Sequence, residues 1–140
     1  MFKRKMLSLF FVIFSLFCMV SCGGGGNATC AVTEQTETRV VITVSKASGG
    51  ATLLDCMEIL QKQGDISYEI SGGMVTEINE KANAADFSGC WMLYTSDEEM
   101  SNAVQGTVEY GGETLGSTIV GAETLPVTSG EIYIWEYVIF

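Results

Sequence analysis

The sequence predicts an α+β fold, one helix packed on a mainly antiparallel sheet in a single domain, and three observations carry that expectation. From residue 39 to 138 the chain alternates short β-branched and aromatic runs with glycine-containing turns. Only the stretch 53–63 repeats apolar residues at helical spacing. The 119 residues from Cys22 onward allow one domain, in which a lone helix must cover one sheet face.

The elements follow in chain order. Lys3, Arg4 and Lys5 precede an apolar run, 6–20, interrupted only by Ser8, Ser15 and Cys18. A basic start, an apolar stretch too short to span a bilayer and small residues behind it read as a secretory signal peptide over 1–21. Residues 22–38 begin with Gly23 to Gly26 and continue through the polar run 33–38, which predicts a flexible, disordered tether. The domain then spans 39–140, opening with a strand over 39–44. Thr52 and Asp55 have capping-box spacing, so a helix should start there, bury Leu53, Cys56, Met57 and Leu60, run to Gln63 and stop at Gly64. Strands are expected over 66–70, 74–79, 90–95, 106–110, 117–120 and 132–138. In the last, Tyr133 and Trp135 share the face opposite Ile134 and Glu136.

Charge and composition exclude several function classes. Beyond residue 21 only Arg39, Lys46, Lys62 and Lys81 oppose all 17 acidic residues, a net charge of −13. That field repels nucleic acid, whose phosphates need Lys and Arg. It also leaves no electrostatic hold on anionic lipid. The chain contains no histidine, which removes Ser-His-Asp and Cys-His catalysis and His-ligated zinc; an enzyme is not expected. No glycine pair is followed by Lys-Ser/Thr, so there is no phosphate loop. Asp97-Glu98-Glu99 lacks the alternation of a calcium loop and reads as a solvated acidic turn. No metal and no resident cofactor are expected.

Beyond Cys22 three cysteines remain, Cys30, Cys56 and Cys90. In an exported chain a Cys56–Cys90 disulfide is the favoured pairing, with a bridge from Cys30 as competitor and buried free thiols as the third option. No Cys-x-x-Cys spacing supports a redox or zinc site.

The stretch 71–79, followed by 90–94, is the expected centre of function. Gly72-Gly73 lets a ligand or second chain approach the backbone closely, Met74, Val75 and Ile78 supply apolar material, and Trp91 and Tyr94 follow. Both segments are equally readable as core strands.

Two resemblances sharpen these readings. Met19-Val20-Ser21-Cys22 resembles the lipobox of bacterial lipoproteins, which implies cleavage before Cys22, lipidation of its thiol and a protein held to the membrane on the extracytoplasmic side. The ordered set of the Thr52–Asp55 helix start, Ser71 to Asn79, Trp91 to Tyr94, Gly121-Ala122 and Gly130 to Tyr137 resembles the transcobalamin C-terminal-like domain. Bacterial lipoproteins carry this domain, which is similar to the small β domain of the animal cobalamin carriers. The resemblance implies a β-grasp-like fold and a non-catalytic binding module, with Ile70, Gly73, Met74, Trp91 and Met92 facing a corrinoid. Cobalamin would be its ligand and a membrane importer its partner. Without the carriers' second, helical domain, a lone module offers an open face. The alternative is an adhesion or assembly module that holds a protein or glycan partner through a sheet edge or the long 98–120 stretch.

Overall fold

The computed structural model describes residues 27–140. The leader expected over 1–21 and the lipidation expected at Cys22 lie outside the described residues. No described helix is long and apolar enough to cross a membrane.

Among the described residues, two antiparallel sheets and one α-helix form a single small domain. In chain order the elements are β1 (Asn27–Gln35), β2 (Arg39–Ser48), α1 (Leu53–Lys62), β3 (Tyr68–Ser71), β4 (Met74–Ile78), β5 (Lys81–Ala82), β6 (Gly89–Thr95), β7 (Ser101–Tyr110), β8 (Glu113–Thr118) and β9 (Ile132–Ile139). The larger sheet has the order β1-β2-β9-β6-β8-β7, and the smaller is β3-β4-β5.

The helix forms as its residues dictate. The Thr52 hydroxyl accepts from the Asp55 backbone N–H (3.3 Å), and the Asp55 carboxylate accepts from the Thr52 N–H (2.8 Å), closing the capping box. Gly64, at φ +80°, ends it. Leu53, Cys56, Met57 and Leu60 are fully buried. They pack onto the sheet face formed by Val40, Ile42, Val44, Trp91, Leu93, Tyr133 and Trp135, while Val75 and Ile78 of the small sheet close the same core.

The opposite face carries its own smaller cluster. Val41, Tyr94 and Ile134 are covered by Val108 and Leu115. These come from the β7–β8 hairpin, which turns at Gly111-Gly112 (φ +58° and +81°) and joins β6 through only two register pairs, Tyr94↔Ser117 and Thr95↔Gly116. The stretch 98–120, expected as two short strands with a long connection, is therefore a short 3₁₀ turn at Glu98–Met100 leading into one hairpin whose pairing is interrupted between Asn102 and Thr107.

The tether expected over 22–38 needs correction. Residues 27–35 are strand, paired with β2 along its length from Asn27↔Ser48 to Gln35↔Val40. Ala28, Cys30 and Val32 alternate along β1 and pack against the helix-side core, whereas the intervening side chains point to solvent. A register break between Thr29 and Cys30 sets Ala28 opposite Ala47 and Cys30 opposite Val44. The extra residue in β2, Ser45, restores the inward alternation on both sides of the break.

Candidate functional site

The β3–β4 hairpin turns through Gly72-Gly73, with Ser71 paired to Met74. Both glycines have positive φ, +59° and +78°, the pairing that a two-residue turn matched to strand twist requires. Ile70 and Met74 flank the turn with 39% and 49% of their surface exposed. The turn leans on the segment after β8. A Cβ built on Gly73 would lie 3.2 Å from the Glu123 Oε2, and one on Gly121 would lie 3.9 Å from the Gly73 carbonyl. Ile119, two residues before Gly121, is half exposed. Bare glycine backbone, the exposed side chains of Ile70, Met74 and Ile119, and the Glu123 carboxylate thus lie at this end of the molecule.

The supporting segment is itself held rigidly. The Ala122 carbonyl accepts from the Leu54 N–H at 3.0 Å, and the Leu125 carbonyl accepts from the Leu53 N–H at 2.9 Å. Those helix-start donors, which would otherwise attract an anion, are consumed in positioning residues 121–125.

Of the five residues expected to face a ligand, Ile70, Gly73 and Met74 lie at this turn, but Ile70 pairs with Val75 and Met74 with Ser71, so the Ile70 and Met74 side chains leave opposite faces of the hairpin. Trp91 and Met92 do not join them. Trp91 is only 5% exposed. Its indole N–H donates to the Lys81 carbonyl at 2.7 Å, its backbone N–H donates to the Asn83 Oδ1 at 2.9 Å, and its ring meets Tyr137 edge-on at 5.5 Å. Lys81 places its ammonium 4.4 Å from the centre of the Tyr137 ring. Trp91 therefore clasps the small sheet onto the large one. Met92, the next residue along β6, projects to the opposite face and packs against the smaller cluster. Aromatic identity signalled importance at Trp91, but the work it does is cohesion between sheets.

The cysteine pairing also changes. Cys56 sits in the helix-side core next to Cys30, whose thiol lies 3.7 Å from the Cys56 carbonyl. Cys90 lies on the other face of β6 from Trp91, its sulfur 3.8 Å from that of Met92. The main sheet separates Cys56 from Cys90, so the favoured Cys56–Cys90 bridge is not formed, and all three thiols are free.

A polar cleft of about 900 Å³ opens where the 3₁₀ turn faces β8 and the start of β9. Asp97, Glu98, Glu99, Glu113 and Glu131 line it. Two of these carboxylates are committed to hydrogen bonds within the protein: Asp97 accepts from the Glu99 N–H at 3.1 Å and from the Thr128 hydroxyl at 3.3 Å, and Glu131 accepts from the Ser96 hydroxyl. Among the described residues no group of three or more His, Cys, Asp or Glu side chains is arranged to hold a metal ion.

No protein-family model, no curated protein and no solved structure gives a significant match to this chain.

Proposed function

We propose that this chain is a lipid-anchored bacterial surface protein whose folded domain is a non-catalytic binding module, presenting the β3–β4 turn to a corrinoid-like amphipathic small molecule that it passes to a membrane importer. The observation that carries this reading is the exposure of Ile70 and Met74 on either side of a turn without side chains. A flat, largely apolar ligand can lie over the bare glycine backbone on the Met74 face of the turn, where the flexible methionine can adapt to its outline, while Ile70 flanks the other face. The arrangement of one helix on a mainly antiparallel sheet agrees with the β-grasp-like, transcobalamin C-terminal-like reading. The leader and the Cys22 motif support export and anchoring. Trp91 and Met92 are not part of the proposed surface.

The test is a calorimetric titration of the purified full chain in detergent with cyanocobalamin and with cobinamide. Saturable binding that is lost in an Ile70→Ser/Met74→Ser variant and kept in Val104→Ser supports the reading. No heat at ligand concentrations on the order of millimolar, an affinity of about 4 kcal/mol at best, removes it.

A second reading, adhesion or assembly, is favoured by the edge strand β7. Between Asn102 and Thr107 its pairing with β8 is interrupted, and Val104 there is 94% exposed. An unpaired edge with an apolar side chain is a template for strand addition. Val104→Lys would abolish partner capture under this reading and leave it unchanged under the first.

A further inference from the structure

We propose that Cys30 and Cys56 are the two halves of a disulfide that staples the edge strand β1 to helix α1. The two side chains come from elements 26 residues apart in sequence and meet on the same side of the main sheet. Cys30 is half-buried and pairs across the strands with Val44; Cys56 is fully buried on the helix face turned toward it. Alternation along β1 turns the Cys30 side chain to the same face as Ala28 and Val32, toward the helix. The Cys30 thiol donates to the Cys56 carbonyl, and the neighbouring Cys56 side chain lowers the Cys30 thiol from its ordinary value, whereas Cys30 and burial push the Cys56 thiol up.

This asymmetry assigns the roles. Cys30, accessible and the more acidic, is the attacking thiolate, and Cys56 is the resolving thiol. In the first step the Cys30 sulfur attacks an external disulfide, forming a mixed disulfide and expelling one thiolate. In the second, the Cys56 sulfur attacks the Cys30 sulfur and expels the other. The two protons lost by the cysteines go to the two thiolates released, and the external disulfide takes up the two electrons. The oxidant is thus a disulfide of low molecular mass or of an envelope oxidoreductase.

The strand has need of such a staple. β1 lies at the sheet edge, pairs with β2 alone, breaks register twice and buries only three half-exposed side chains, Ala28, Cys30 and Val32. A strand so held is first to fray.

The experiment is peptide mapping of the full chain after incubation with oxidised glutathione, followed by blocking of free thiols. Trypsin separates the three cysteines, because Arg39 follows Cys30, Lys46 and Lys62 bracket Cys56, and Cys90 lies beyond Lys81. The expected result is a linked pair joining the peptide that ends at Arg39 to peptide 47–62, absent in Cys30→Ser and present in Cys90→Ser. Melting of the oxidised wild type should fall on the order of 10 °C upon reduction, with no such change in Cys30→Ser. Recovery of Cys30 and Cys56 as separately blocked peptides after oxidation, or a link to Cys90, would overturn the proposal.

Discussion

The two tryptophans differ in one respect that can be measured as stability. Both are 5% exposed and both belong to the helix-side core. The Trp91 indole N–H is bonded to the Lys81 carbonyl, whereas the Trp135 Nε1 is buried without a partner. Replacing either by Phe removes a similar apolar area, roughly 40 Å², about 1 kcal/mol in each case. At Trp91 the change also strands the Lys81 carbonyl, a cost of about 1–3 kcal/mol. At Trp135 it deletes a desolvated donor and recovers an amount of similar size. Trp91→Phe should therefore be the less stable variant by about 2–6 kcal/mol, a separation on the order of 8 °C or more in melting temperature for a domain of this size. Urea unfolding followed by far-ultraviolet circular dichroism measures it. Equal losses, or a greater loss at Trp135, would mean that the Trp135 nitrogen has a partner and that the clasp between sheets does not rest on the Trp91 hydrogen bond.

Two further outcomes follow from local geometry. Gly73→Ala forces a left-handed backbone and brings a methyl to 3.2 Å from Glu123, whereas Gly111→Ala meets only the backbone cost, with nothing within 4 Å. Each should lose about 1–2 kcal/mol, with Gly73→Ala the worse, and the same urea titration decides. Burial, aided by Glu58, pushes the Tyr68 hydroxyl up to about 12 from 10.0. Between those values the unfolded chain has lost a proton that the folded one keeps, so folding stability declines as pH rises through the window. Tyr68→Phe should flatten that part of the profile of melting temperature against pH; an unchanged slope would assign it to other groups.

What could be read in the residues divides along physical lines. Helix α1 was legible because its signals are local: the Thr52–Asp55 box, an apolar stripe and a terminating glycine lie within thirteen residues. Strand β9 was legible to the level of which residues share a face, since alternation along a strand needs no knowledge of its neighbours. β1 was missed because an edge strand buries one face only partly, and Ala28, Cys30 and Val32 are a faint apolar signal beside Thr33, Glu34 and Gln35. The hairpin of β7 and β8 reads as fragments for a related reason: Ser, Thr, Gly and Glu dominate it, Val108, Tyr110 and Leu115 are its contribution to the smaller cluster, and its pairing is interrupted between Asn102 and Thr107. At the candidate site the Gly72-Gly73 turn was visible as sequence. The depth of Trp91, the outward face of Met92 and the proximity of Cys30 to Cys56 depend on how distant strands stack, and no local pattern encodes that.

The main sheet acts as a partition between two separately packed interiors, and this governs how changes combine. Substitutions among Val41, Tyr94, Ile134, Val108 and Leu115 share no side-chain contact layer with those around Leu53, Met57 and Leu60, so their effects on stability should add. The Gly111-Gly112 turn stands at the far side of that partition from the 70–74 surface, with open space around both glycines. It is accordingly a natural port for a fluorophore, an affinity sequence or an inserted module that leaves the opposite half of the molecule as it is.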